Sequence, residues 1–378
     1  MSRLYFRNTK NLRNISAFFF SEDNIIRSAL PLTETDSDGD FVLEFDPEKF
    51  THLHFVGFDS KGKECKTENI FPGELSLGID YKWNESQKRD LTYLFSKQEK
   101  ITGHIDTYIL KDEKNLSYRE DAGKKINIFV PAHYSEHVPH EILYFFDAQN
   151  LFSAAGSYTQ DADPYGGWQL DIALNAAYHR YGRNIIVVAI DNSDPYRMSE
   201  LFMNPKSFGK LSSLATDIAD ESEIEGHLDE LYDFIFETVH PFVKEKYSVT
   251  DQNMGIGGSS MGGIAAFYCA LRAPGKFAYT LSYSPAYGLY ELEAFEQFFK
   301  KLNFAENADK LPLIHIYCGE GDELEKQLTP ASKAMKKLLS DYGYPKNLIA
   351  ETYDGEKVHN EEAWRLILGE SFSFCLSK

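Results

Sequence analysis

The stretch Asn253-Met-Gly-Ile-Gly-Gly-Ser-Ser-Met-Gly-Gly-Ile264 constrains this chain more than any other. Met254–Ile256 reads as a short buried strand. Gly257 and Gly258 follow, and Met261 to Leu271 reads as a helix in which Ala265, Ala266 and Ala270 permit close packing. Ser260 therefore stands where strand becomes helix, inside the G-x-S-x-G pentapeptide that Gly258 opens and Gly262 closes. A turn of this kind needs unusual backbone angles and has no room for β-carbons. It also holds the serine hydroxyl out of the sheet. The pentapeptide by itself arises by chance in roughly one chain in ten of this length, so the rest of the sequence has to supply the context.

The chain has 378 residues, 43% of them hydrophobic, which is enough for two domains or one large one with an extension. Its formal net charge of −19 argues against nucleic acid or an anionic membrane as partner. Cys65, Cys269, Cys318 and Cys375 are far apart and form no C-x-x-C pair, so they read as buried or incidental thiols. The first residues, MSRLYFRNTKNLRN, lack the apolar run of a signal peptide, and no stretch is long enough to span a membrane. A cytoplasmic location is the expectation.

Residues 1–95 alternate short apolar runs (Ala17–Phe20, Phe41–Phe45, His52–Phe58) with polar, turn-rich segments, the pattern of a small all-β sandwich. His52 and His54 share one face of a strand, but no further metal ligand is near. Residues 90–102 read as a connector. From there to 378, strand and helix signals alternate, which predicts an α/β sheet covered by helices. Strands are expected at Ile105–Leu110, Ile126–Val130, Ile142–Phe146, Ile185–Ile190, Met254–Ile256, Phe277–Tyr283 and Leu313–Cys318. Helices are expected at Trp168–Tyr181, Leu228–Lys246, Gly262–Leu271, Leu289–Leu302, Pro330–Leu339 and Glu361–Leu368. The segment Ser193–Gly226 reads as a long loop whose Tyr196, Met198, Phe202 and Met203 suit a wall or lid over a pocket. His133, His137 and His140 read as an exposed turn, because Pro131 and Pro139 prevent one helix from aligning them.

A serine hydroxyl is a poor nucleophile near neutral pH and needs a base that is itself oriented by an acid. On a sheet of this type the order along the chain is serine, acid, histidine. The strand Leu313–Cys318 ends at Gly319-Glu-Gly-Asp-Glu323, where Asp322 is the preferred acid and Glu320 and Glu323 are the alternatives. His315 lies within that strand and reads as a core or face residue. His359, the last histidine, precedes a helix whose first turn carries Glu361 and Glu362, and it is the candidate base. The start of the helix after Ser260 brings backbone N–H groups to where an oxyanion would form.

Residues from about 101 to 378 resemble the esterase D-like branch of the α/β-hydrolases, which includes feruloyl, acetyl-xylan and enterochelin-type siderophore esterases. The resemblance lies in Leu143-Tyr-Phe-Phe-Asp-Ala-Gln-Asn-Leu-Phe152, Trp168 with Asp171, Ile190-Asp-Asn192 with Arg197 and Glu200, Gly258–Gly263, Ser284-Pro285, and Val358-His-Asn-Glu361 with Trp364. Ala148 replaces a glycine usual in the family, and Leu201 a frequent tyrosine. The N-terminal segment resembles starch-binding-like β-modules through Tyr5–Asn8, Phe18–Phe20 and Phe55–Phe58, although the family's sugar-stacking Trp is replaced near Asn11-Leu12.

The resemblance implies an α/β-hydrolase domain at 96–378 behind an all-β domain at 1–95. It implies Ser260, Asp322 and His359 as the catalytic set, and an oxyanion hole from the N–H of Met261 with that of Ala148 or Gln149. Arg197, Trp168 and Tyr196 are the candidates for substrate contact, Arg197 alternatively bridging to Glu200. The expected function is carboxylic ester hydrolysis through an acyl-enzyme, on a small acyl or aryl ester, a carbohydrate-linked one among the candidates, with no metal or organic cofactor. Acyl transfer to an acceptor other than water, trilactone siderophore hydrolysis and an inactive glycan-binding or scaffold role are the other readings, and a homo-oligomer is left open.

Overall fold

This computed structural model describes residues 2–6, 8, 11–20, 26–35, 39, 41–45, 50, 52–67, 80–81, 92–95, 103–152, 167–192, 195–216 and 225–377. The chain divides into two compact units, Met1–Thr102 and Gly103–Lys378. Most of the expected connector, 90–102, lies outside the described residues.

The first unit consists of short antiparallel strands. Strands β1 (Ser2–Phe6), β4 (Phe41–Phe45), β7 (Asp80–Tyr81) and β8 (Thr92–Phe95) form one sheet, in the order β4-β1-β8-β7. A second sheet runs β3-β2-β5-β6, from β2 (Arg13–Phe20), β3 (Ile26–Pro31), β5 (His52–Phe58) and β6 (Glu64–Lys66). Phe6, Leu43 and Phe45 of the first sheet and Ala17, Phe19, Leu53 and Phe55 of the second share one core, as the two inner faces of a sandwich do. The period of two in β5 sends His52 and His54 to the other face, where both rings lie against Phe20. Leu12, beside the place where the resemblance looks for a sugar-stacking Trp, is buried in the core.

The second unit is built on one sheet, which among the described residues has eight strands: β9 (Gly103–Lys111), β10 (Gly123–Pro131), β11 (Glu141–Phe146), β12 (Ile185–Ile190), β13 (Gly255–Ser259), β14 (Tyr279–Tyr283), β15 (Leu313–Gly319) and β16 (Ile349–Asp354). Their order is β9-β10-β12-β11-β13-β14-β15-β16. Strand β10 pairs antiparallel with β9 and β12, and every pairing from β12 onward is parallel. Strands β12, β13 and β14 are buried at every residue, because helices cover both faces of a parallel sheet. β9 and β16 are the half-exposed edges. The β16 strand is absent from the sequence-based expectation, since Ile349-Ala-Glu-Thr-Tyr-Asp354 lacks the apolar run of its buried neighbours.

The helices are α1 (Leu170–Tyr181), α2 (Arg197–Leu201), α3 (Pro205–Phe208), α4 (Ser213–Thr216), α5 (Leu228–Phe234), α6 (His240–Lys246), α7 (Met261–Arg272), α8 (Leu292–Leu302), α9 (Glu323–Asp341) and α10 (Glu361–Leu376). Two expectations change. The long loop Ser193–Gly226 holds α2, α3 and α4, and its Phe202 and Met203 are core residues, which leaves Met198 as the exposed member of that apolar group. Helix α9 begins seven residues before Pro330, which sits inside it. One helix does span Leu228–Lys246, with a wider π-turn at Ile235–Val239 just before Pro241. No described helix is long and apolar enough to cross a membrane.

Candidate active site

The parallel strands deliver their loops to one end of the sheet. Asp147 follows β11, Asn192 follows β12, Ser260 follows β13, Ser284 follows β14, Asp322 lies just past β15 and His359 just past β16. The carboxyl ends of parallel strands are where open α/β sheets place their ligands.

Ser260 caps α7 with φ 56° and ψ −120°, a conformation that costs an L-residue of order 1–3 kcal/mol. The glycines around it answer to space. A β-carbon on Gly258 would lie 2.4 Å from the Gly262 carbonyl oxygen, and one on Gly263 would lie 2.9 Å from that of Tyr283. These contacts let α7 fold directly back onto β13 and β14. Ser260 is then held by its backbone to the next turn of the sheet, its N–H donating to the Tyr283 carbonyl (2.9 Å) and its carbonyl accepting from Ala286 N–H (3.0 Å). Ser284, between those two residues, is itself at φ 39°.

The histidine is fixed at three points. Its Nδ1–H donates to Glu325 Oε1 (3.0 Å), its backbone N–H donates to Asp322 Oδ2 (2.9 Å), and its ring meets the Trp364 indole edge-on at 5.0 Å. The carboxylate against the imidazole is thus that of Glu325, in the first turn of α9. It is none of the expected Asp322, Glu320 and Glu323, and Asp322 meets the histidine through the backbone N–H instead. Glu320 is paired with Lys333 and Glu323 with Lys326. Asp322 is the N-cap of α9, its Oδ1 accepting from Glu325 N–H at 2.8 Å. Desolvation raises its pKa, but the backbone N–H donors of Glu325 and His359 outweigh this and hold it below the usual carboxylate value. Glu325 is fully buried, and Ser284 Oγ also donates to its Oε1, at 2.5 Å. Trp364 Nε1–H donates to Ser284 Oγ at 2.9 Å, completing the chain indole, hydroxyl, carboxylate, imidazole.

Glu325 had a sequence signal. Asp322-Glu-Leu-Glu325 has the spacing of a capping box, in which the third helical residue is a Glu. Half of the box is present, the Asp322 cap on Glu325 N–H. The other half is diverted, because the Glu325 carboxylate serves His359 and Ser284.

The loop after β11 is pinned on several sides. Asp147 has φ 60° and ψ 54°, a left-handed conformation that Asp tolerates better than most residues. Its N–H donates to Asn192 Oδ1 (3.2 Å), and its carboxylate takes a two-pronged contact from Arg197 at 2.7 and 2.8 Å. Burial disfavours the Arg197 charge, but the Asp147 carboxylate more than compensates and raises its pKa. Arg197 also touches Met261 Sδ at 4.0 Å. It therefore links the Ala148–Asn150 turn to the start of α7, and its carboxylate partner is Asp147 where Glu200 was the alternative expectation. Glu200 is instead fully buried with Arg119, Lys124, Asn192 and Tyr118. Asn150 ties the same turn to α10 through Glu361 (2.9 Å).

Two residues expected at the substrate have partners within the protein. Trp168 is 2% exposed and packs among Phe145, Tyr283 and Trp364, so it braces the site from within the core. The Tyr196 hydroxyl accepts from Glu120 N–H at 3.3 Å, and its ring lies under the Arg119 guanidinium at 4.6 Å. His315 is fully buried, with Ser371 Oγ 3.0 Å from its Nδ1. Of the His133 group, His140 is buried against the Ser248 carbonyl and His137 is exposed. No cluster of three or more His, Cys, Asp or Glu suited to a metal occurs among the described residues.

A family model described as Putative esterase matches residues 121–372, two thirds of the chain and wholly within the second unit. No curated protein is similar enough to be matched. Among solved structures the chain is similar to the siderophore hydrolase EstA from Aspergillus nidulans, at 17% identity and a TM-score of 0.52, over 74% of this chain and 97% of that one. It is similar to the BES protein from Bacillus cereus at 13% identity and a TM-score of 0.52, over 74% and 97%. For a CE1 ferulic acid esterase from Anaeromyces mucronatus the identity is 16% and the TM-score 0.50, over 74% and 93%. At such identities the structural likeness speaks for the α/β-hydrolase fold alone. The family match goes further: this chain belongs to the Putative esterase family and is a hydrolase acting on esters.

Proposed function

We propose that the chain hydrolyses a small acyl or aryl carboxylic ester through an acyl-enzyme on Ser260. The observation that carries this reading is the His359 imidazole seated on the buried Glu325 carboxylate, beside the Ser284 turn to which Ser260 is bonded. With Nδ1 donating to Glu325, Nε2 is left as the base. Ser260 Oγ attacks the ester carbonyl carbon while Nε2 takes its proton. The oxyanion is held by the N–H of Met261, one of the first helical N–H groups that α7 cannot satisfy itself, together with that of Ala148 or Gln149. Collapse of the tetrahedral intermediate breaks the ester C–O bond, and the proton passes from Nε2 to the leaving alkoxide. Water then gives a proton to Nε2 and attacks the acyl carbon, and Ser260 leaves with that proton. Glu325 stabilises the imidazolium in both halves, and Asp322 positions His359 through its backbone.

The solved relatives include a protein named a siderophore hydrolase and one named a ferulic acid esterase. The aryl or small acyl ester is the better fit here, because Arg197 is already paired with Asp147 and so offers less to a strongly anionic ligand. Ser260→Ala, assayed on 4-nitrophenyl butyrate, is expected to lower kcat by at least about 10³-fold. Undiminished hydrolysis by the purified variant refutes the assignment.

A further inference from the structure

Glu325 has two donors among the described residues, and both use the same oxygen. His359 Nδ1 and Ser284 Oγ lie 3.0 and 2.5 Å from Oε1, while Oε2 is shielded from solvent and has no hydrogen-bond partner among the described residues. Ser284 is fully buried, held at φ 39° with its N–H bonded to the Tyr317 carbonyl, and its hydroxyl oxygen takes the Trp364 indole N–H. Occupied by that donor, the hydroxyl is directed to give its own proton to Glu325. A left-handed φ at a non-glycine residue persists only where its surroundings enforce it. Here the reward for enforcing it is a second hydrogen bond to a buried carboxylate.

We infer that Ser284 is a positioning residue of the hydrolytic site, whose hydroxyl sets how strongly Glu325 holds the His359 imidazole. The inference rests on the proposed roles of Ser260, His359 and Glu325. A carboxylate that keeps a second donor shares its charge between two partners, and one that loses it turns more of that charge on the remaining partner. Without the hydroxyl, Glu325 favours the protonated imidazole more strongly and is also free to turn about its side-chain bonds. Asp322, which accepts from the backbone N–H of His359, is a second carboxylate at the histidine among the described residues and is unchanged by the substitution.

The test uses Ser284→Ala and Ser284→Gly in the full chain, with 4-nitrophenyl butyrate and a pH profile of kcat/KM. Glycine adopts positive φ without strain, so Ser284→Gly keeps the turn while removing the hydroxyl and guards against misfolding of the alanine variant. Both are expected to lose about 10- to 100-fold in kcat with KM within about threefold, because Ser284 acts through Glu325. The acidic limb of the profile is expected to move to higher pH by about half a unit or more. A profile and kcat equal to the parent's in either folded variant overturns the inference, as does a loss confined to KM. Ser260→Ala is run alongside. Activity in that variant removes the nucleophile assignment itself, whereas an inactive Ser260→Ala beside an unaltered Ser284 variant removes only the role of Ser284.

Discussion

At the scale of single residues the site separates two carboxylates that stand three positions apart. Glu325 meets the imidazole and Asp322 meets the backbone of the same histidine. Glu325→Gln is expected to lower kcat by about 10²- to 10⁴-fold, as loss of the orienting acid does in serine hydrolases. Asp322→Asn keeps an N-capping side chain and should cost less than about tenfold. Steady-state kinetics of the two variants decide the assignment, and the reverse ranking would return the role to Asp322. The same pair gives a pH prediction. The Asp322 pKa is depressed in the folded protein, so its contribution to stability is present above the unfolded-state value of about 4 and is lost as pH falls through the lower folded value. The gap in Tm between the parent and Asp322→Asn should therefore be widest near neutrality and narrow progressively as pH falls below about 4. The placement of Ser260 at the β13–α7 turn and of His359 just before α10 was legible in sequence, through glycine spacing for the one and the acidic first turn of the helix for the other. The carboxylate against the imidazole was not, because three acidic residues crowd the turn and Glu325 lies just past them.

At the scale of elements the same miss has a cause in Pro330. Read as a first helical residue, where its missing N–H costs nothing, it placed the start of α9 seven residues late and left Glu325 in an undefined connection. The structure carries Pro330 as an exposed residue inside α9, beside Thr329, whose hydroxyl donates to the Gly319 carbonyl at 2.9 Å. An interior proline removes one helical hydrogen bond. Pro330→Ala should restore it and raise stability by about 1–3 kcal/mol, read as a higher urea midpoint with kcat unchanged. A lower midpoint would show that the proline is needed to aim the first turn of α9. The long buried strands were legible because both their faces are covered, and β16 was not because this edge strand is half-buried along Ala350–Asp354 and carries Glu351, Thr352 and Asp354 in place of an apolar run. The segment between β12 and α5 was read as a loop because its helices α2, α3 and α4 are four or five residues long, too short for a 3.6-residue period to show.

At the scale of the whole molecule the formal charge of −19 works against anionic substrates before any contact is made. For a 4-nitrophenyl ester with a carboxylate at the far end of its acyl chain, kcat/KM should rise about two- to fivefold between ~20 and ~200 mM salt as the repulsion is screened. The neutral butyrate ester should be insensitive. A falling profile for the anionic ester would point to a local cationic groove that outweighs the net charge. The same scale explains why the first unit contributed less to the reading of function: its strands follow from alternation, but Leu12 is turned into the core and offers no platform to a sugar ring. The second unit places the candidate site on six successive strand ends, from Asp147 after β11 to His359 after β16. No short peptide of this protein contains the site. On the proposed mechanism, a graft of the Ser260 turn onto another scaffold would bring the nucleophile without its base, its acid or the second half of the oxyanion hole. What is transferable is the sheet with its loops, as a single cassette.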